Sequence, residues 1–247
     1  MTTNEAARKH WLELKDKPLK EKVEHIVTYY GIVILTILAV VIFTVSYTIH
    51  LLTLKDSALN ITCMGASVTQ KEADDFANAF GEFAGIDLEQ YEVDISTNLS
   101  SYLQGGSDKA YEAAEIMVAL VASREVDALV SDKTTLLPYM YQRIFSDLTD
   151  ILTPEQQARY RDCFLYADDS IIQELKDMSV VEELPQFPDP TKPELMERPV
   201  PVAVRIPEQT EFFDLCFSGM KDIAAYGIVI NSENLDNALA FLDYIMK

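Results

Sequence analysis

Apolar and polar positions divide this chain into two kinds of text. From Gly31 to Leu52 runs GIVILTILAVVIFTVSYTIHLL, 22 residues without one Asp, Glu, Lys or Arg. As a helix rising about 1.5 Å per residue it reaches roughly 33 Å, enough for a hydrocarbon core of about 30 Å. Fourteen of its residues are Ile, Val, Leu or Phe. Their summed insertion free energy, about −6 kcal/mol, outweighs the Thr, Ser, Tyr and His toward the far end. The run is longer than a signal-peptide core and no small-x-small site follows it, so it predicts a retained transmembrane helix over 31–52. Ahead of it, residues 1–30 read as an amphipathic juxtamembrane segment. Pro18 starts a helix that puts Leu19, Val23, Ile26 and Tyr30 on one face and Lys20, Glu21 and Lys22 on the other. Trp11 and Tyr29-Tyr30 suit the headgroup layer.

After Lys55-Asp56-Ser57 the pattern changes to alternating strands and helices, and 57–247 reads as one α/β domain. Ala58–Gly65 (ALNITCMG) predicts a strand. Thr69-Gln-Lys-Glu72 is a capping box that opens a helix with Ala73, Phe76, Ala77 and Phe80 on one face. Tyr91–Ser96 predicts a second strand. A helix capped by Ser107-Asp108 follows, with Tyr111, Ala114, Met117, Val118 and Val121 as its apolar stripe, and then a third strand over Val126–Ser131. Helices are predicted over Leu136–Phe145 and, behind Thr153-Pro154, over Glu155–Cys163. Seven prolines between Leu184 and Pro207 exclude helix there and allow only an extended excursion or an edge strand, with a strand at its end over Val200–Ile206. The pentapeptide YGIVI, met at Tyr30–Ile34, recurs at Tyr226–Ile230 as a short strand stopped by Asn231-Ser-Glu-Asn234. A closing helix carries Leu235, Ala238, Leu239, Leu242 and Ile245 at helical spacing. Strands joined by helices of this length predict right-handed crossovers and a Rossmann-like, mostly parallel sheet with helices on both faces.

Charge changes the picture by excluding partners and orienting the chain. The formal net charge is −20, and beyond residue 30 there are 14 basic residues against 35 acidic ones. Such a segment is repelled by phosphate backbones, so nucleic acid is excluded as a partner. Lys15, Lys17, Lys20 and Lys22 precede the span while Lys55 and Lys71 follow it, which predicts a cytoplasmic N-terminus and an extracytoplasmic domain in a single-pass cell-membrane protein. The three cysteines, Cys63, Cys163 and Cys216, allow at most one disulfide; they read as small buried hydrophobes, or as a Cys163–Cys216 bridge with Cys63 left over.

Candidate chemistry is sparse. All three histidines, His10, His25 and His50, lie at or before the end of the span, which leaves the domain without a Ser-His-Asp or Cys-His site and without the commonest zinc ligand. There is no GxGxxG or GxxxxGK[ST] loop, Gly105-Gly106 being an isolated turn, and no DxDxDG calcium loop. Asp74-Asp75, Asp168-Asp169 and Glu182-Glu183 are neighbours in sequence and read as solvated acidic faces. No catalytic residue, metal or cofactor is therefore assigned. A small ligand on a parallel sheet would sit at the carboxyl ends of the strands, which here offer Ser67, Thr97, Ser131 and Asp132; alternatively Ser67, Ser131 and Asp132 only cap the helices that follow.

The order of parts resembles the type 2 periplasmic solute-binding proteins, in the small membrane-anchored form of Gram-positive bacteria. Four phrases carry the resemblance over residues 17–247: LKEKVEHIVTYYGIVI, REVDALVSDKTTL, IFSDLTDILTPEQ and YGIVINSENLDNALAFLDYIM. It implies a lobe closed by its last strand and helix, with a second lobe inserted before them. Only residues 167–225 occupy that place, so the resemblance is to a reduced form without a full second lobe. The implied function is a non-catalytic binding module for a partner protein or a small solute at the cell surface. The alternative is an accessory subunit of a membrane complex that acts through its transmembrane helix.

Overall fold

The computed structural model describes residues 18–53, 55–99, 107–177 and 186–247; Trp11, Lys15, Lys17, His10, Gly105-Gly106 and Glu182-Glu183 lie outside them. The chain divides into two units, one ending at Leu54 and the other spanning Lys55–Lys247.

In the first unit, residues 19–30 and the apolar run form one helix, α1 (Leu19–Thr53), of 35 residues. Its stretch Tyr30–Ile49 has a mean hydropathy of 2.6 and no buried residue, and it is long and apolar enough to cross a membrane. The threonines within it do not oppose that environment. Thr36, Thr44 and Thr48 donate their hydroxyls to the carbonyls of Ile32, Val40 and Thr44, each at 2.8 Å, which pairs these three hydroxyl protons within the helix.

The second unit opens with β1 (Asp56–Cys63), α2 (Gln70–Ala84) and β2 (Tyr91–Ser96), then α3 (Ser107–Ala122) and β3 (Ala128–Asp132). The helix signals read from the sequence act where they stand. Thr69 and Glu72 form the capping box of α2, and Gly85 ends it at φ 71°, a left-handed conformation that glycine adopts without penalty. β1 pairs in parallel with both β2 and β3. Three helices follow, α4 (Lys133–Tyr141), α5 (Leu148–Ile151) and α6 (Pro154–Tyr160), and then β4 (Phe164–Asp168), α7 (Asp169–Asp177), β5 (Pro199–Arg205), α8 (Glu211–Phe217), β6 (Ala224–Ile228) and α9 (Leu235–Ile245).

All six strands join one sheet in the order β2-β1-β3-β6-β5-β4. The expectation of a mostly parallel sheet holds for its first half alone. β6 runs antiparallel to β3 and to β5, and β5 antiparallel to β4. The physical reason is the route of the chain: β4, β5 and β6 are laid side by side by returns rather than by crossovers. The proline-rich stretch between Leu184 and Pro207, expected as an extended excursion or an edge strand, thus supplies β5, which lies inside the sheet between β6 and β4.

Helices do cover both faces. One core gathers Phe76 and Phe80 of α2, Phe212 and Phe217 of α8, and Phe241 of α9 over Ile61, Val130 and Tyr226. The other gathers Met117 of α3, Leu136 and Met140 of α4, and Ile172 of α7 over Leu129, Val202 and Ala225. In β3 alternate residues feed opposite cores, Ala128 and Val130 one and Leu129 the other, as the period-two pleat requires.

One further expectation changes. The helix expected over Leu136–Phe145 stops at Tyr141, because Arg143 takes a left-handed φ of 55° and Phe145 leaves the helix to bridge Val229. All three cysteines are free thiols, with Cys63 and Cys216 buried, as expected of small hydrophobes, and Cys163 half-buried. The N–H of Ser67 donates to the Cys216 carbonyl at 2.9 Å, which fastens the end of α8 beside the end of β1.

Candidate functional site

The carboxyl ends of the three parallel strands place the four candidate residues as follows. Ser131 is fully buried and donates its hydroxyl to the Met64 carbonyl at 2.8 Å. Asp132 caps α4, accepting the Thr135 N–H at 2.9 Å and its hydroxyl at 2.7 Å. Ser131 and Asp132 come together around Gly65, whose missing Cβ would lie 3.8 Å from Asp132 Oδ2 and 3.9 Å from Ser131 Oγ. Ser67 donates its hydroxyl to the Cys216 carbonyl at 3.4 Å, and Thr97 donates to Gln70 Oε1 at 3.4 Å. Each of the four side chains is thus engaged with a protein group, and of the possible caps it is Asp132 that caps a helix.

A better-formed concavity lies elsewhere. It arises where the sheet opens. Pairing between β5 and β6 stops at Val204/Tyr226, while β5 continues back to Pro199 alongside β4 alone. Pro199 and Pro201 have no N–H to offer a second neighbour, so this half of β5 stays unpaired on the β6 side. Beyond Tyr226 the chain pairs instead with 144–146: the Ser146 N–H donates to the Ile228 carbonyl at 2.9 Å and the Ile230 N–H to the Ile144 carbonyl at 2.8 Å. Val200 and Val202 from β5, with Phe145, Ile172 and Ile230, form the apolar part of a cavity of about 450 Å³, within the usual range for small-molecule sites.

Its polar part is mixed in sign. Arg143, Asp147, Asp150 and Asp169 all line it. Asp169 pairs with Arg198 at 3.4 Å, and Asp147 caps α5 by accepting the Thr149 N–H at 2.8 Å. Arg143 has no ion-pair partner among the described residues. Its guanidinium is exposed, on a backbone held in a region that a non-glycine residue seldom adopts. Phe145 is fixed from behind by Gly227: a Cβ on that glycine would fall 2.5 Å from the ring's Cε1.

Two buried carboxylates hold the frame around this opening. Asp127 is 1% exposed. It accepts the Asn60 N–H at 2.8 Å, the Ser232 hydroxyl at 2.7 Å, the Asn234 N–H at 3.2 Å and the Asn234 side-chain amide at 3.1 Å. It therefore ties β1 and the strand-to-helix turn after β6 to the start of β3. Asp168, at the end of β4, accepts the Glu197 N–H at 2.7 Å, the Arg198 N–H at 3.1 Å, and the Ser170 N–H and hydroxyl at 3.0 and 2.5 Å. Burial alone would raise its pKa, but these bonds outweigh burial and hold the carboxyl below its usual value.

Of this site the sequence reading had the phrase IFSDLTD, which contributes Phe145, Ser146, Asp147 and Asp150, but no signal that it faces Val200 and Val202. The signal available was Pro199 and Pro201 inside a β-branched run, which marks a strand with one side unpaired. No protein-family model, curated protein or solved structure matches the chain.

Proposed function

We propose that this is a non-catalytic, membrane-anchored binding module. In this reading the α/β domain faces the extracytoplasmic side of the cell membrane and takes a small solute, or an apolar side chain of a partner protein, into the opening between β5 and β6. The observation that carries it is the cavity itself: an apolar floor of Phe145, Val200 and Val202 beside an Arg143 that has no ion-pair partner among the described residues. Apolar lining supplies affinity and a few charged groups supply orientation, which is the usual division in a binding site. Support for the single-lobe reading comes from β5, which lies within 167–225 and extends the same sheet. The absence of histidine beyond His50 in the sequence supports binding over catalysis.

The test is thermal unfolding of the full-length protein in detergent against a panel of small metabolites. A ligand present at about 100 times its Kd stabilises by roughly 2.7 kcal/mol, a clear rise in midpoint. Ile230 lines the cavity and is 58% exposed, so Ile230→Trp fills the opening from its solvent side and should abolish that rise. A panel without effect, together with a membrane partner lost when Gly31–Leu52 is replaced by an unrelated span, would favour the accessory-subunit alternative.

A further inference from the structure

Cys63 and Cys216 are both 0% exposed and sit in the same core, one at the end of β1 and the other in α8. The Ser67 bond to the Cys216 carbonyl, at 2.9 Å, holds these segments together, and the two thiols are near enough for Cys216 to raise the Cys63 pKa, in the core that also holds Phe212 and Phe217. Both side chains lie in one packed core, so a bond between them needs no new exposure of polar groups. Cys163 packs at the edge of that core, half-buried. The pair thus has a built geometry that the third cysteine lacks.

We propose that Cys63 and Cys216 are a disulfide-forming pair that staples β1 to α8, with a small-molecule or protein disulfide as the oxidant. The oxidant's presence rests on the extracytoplasmic placement proposed above. In the first step one cysteine, as thiolate, attacks a sulfur of the oxidant and expels the other sulfur as thiolate. In the second, the remaining cysteine thiolate displaces the attached half. Two electrons pass from the cysteines to the oxidant, whose two sulfurs leave as thiols carrying the two protons. Attack requires thiolate, and in the folded domain the hydrogen bond with Cys216 and burial push the Cys63 thiol well above its ordinary pKa. The bond therefore forms while the chain folds, before α8 closes over β1, and is afterwards sealed from reductant.

The experiment counts thiols on the full-length protein. The protein in detergent is opened in urea, returned to native buffer through a glutathione redox couple, denatured again and alkylated, and its mass and linked peptides are read. The expected result is one alkylated thiol, Cys163, and a peptide linking Cys63 to Cys216. Cys163→Ala should still lose two thiols, while Cys63→Ala and Cys216→Ala should each lose none to an intrachain bond. The bond closes a loop of roughly 150 residues, so oxidation should raise the unfolding midpoint by about 5 °C or more. Three alkylatable thiols after oxidative refolding, or a link that uses Cys163, would overturn the proposal. Alkylation of protein taken directly from cells, beside a protease-accessibility assay of the domain, separates the two ideas. Three thiols in a domain shown to lie outside would sink the pair alone, whereas a domain found inside, with the pair still forming in the redox buffer, would sink only the placement.

Discussion

Asp168 exchanges water for donors supplied by the chain around it, and the exchange can be read through pH. Its carboxylate takes three backbone N–H groups and a hydroxyl, which hold its pKa below the ordinary carboxylate value of 3.8. A lowered folded-state pKa means that its stabilisation is fully present above about pH 4 and is lost as pH falls through the lowered value. Asp222, held by Thr134 and the Ile223 N–H against the cost of its burial, and Asp189, held first by the Thr191 N–H, shift in the same direction. Unfolding by urea should therefore become easier below pH 4. Asp168→Asn should flatten that dependence while costing about 2–3 kcal/mol at pH 7, because an amide offers one oxygen where two were used and turns an NH₂ toward a donor. An acid limb as steep as that of the parent protein would count against this account. Gly227 is the second residue on which the site turns. An alanine there meets the Phe145 ring at 2.5 Å, so Gly227→Ala should cost about 1–3 kcal/mol and push the ring toward the cavity. Urea denaturation of the variant reads the first effect, and loss of any ligand-induced rise in midpoint reads the second.

At the scale of elements, α6 shows how a short helix is held. Seven residues cannot sustain a helix in isolation. Its first turn is closed by the Thr153–Gln156 capping box, and its body is fixed to α9 through Asp243. That carboxylate accepts the Tyr160 hydroxyl and the Gln156 side-chain amide and lies 3.5 Å from Arg159. Burial, then Asp243, push the Tyr160 phenol up to about 12 from 10.0. A raised folded pKa contributes stability that is present below pH 10 and is lost as pH rises toward 12. Asp243→Ala should leave the part of the shift due to burial and remove the rest, so spectrophotometric titration of the phenol should move down without reaching the ordinary value. An unchanged titration would show that Asp243 does not act on Tyr160. Elements with local signals such as this cap were legible in the sequence: Thr69, Thr153 and the apolar stripes of α2 and α9 needed no tertiary information. Strand direction was not, because β6 is buried along its whole length, and a continuous buried run reads alike in either sense. β4 and α8 were also missed. Phe164–Asp168 offers too few positions to separate a strand from a helix's end, and Glu211–Phe217 is a two-turn helix without a strong stop signal. The cavity is a relation between Phe145 and Val200, 55 residues apart by number, so it could be seen only once the sheet order was known.

For the whole molecule, the proposed function requires α1 to cross the cell membrane and the α/β unit to lie outside it. The charge distribution supports that proposal. The four lysines between Lys15 and Lys22 favour retention of the N-terminal flank in the cytoplasm. The segment beyond residue 30, with 35 acidic residues against 14 basic ones, is repelled by the anionic cytoplasmic leaflet rather than drawn to it. Glu208 lies on an exposed stretch after β5, so Glu208→Cys should react with a membrane-impermeant maleimide in intact cells, in a Cys163→Ala background, with no increase when the cells are opened. A tag at the N-terminus should behave oppositely, resisting added protease until the membrane is breached. Reversing the lysine bias, by moving the four basic residues to positions 55–71, should invert the two signals if charge sets the orientation. If position 208 is protected in intact cells and reactive only after lysis, the domain is cytoplasmic. In that case its cavity would meet a reducing compartment and cytosolic partners, and extracytoplasmic binding would no longer be its role.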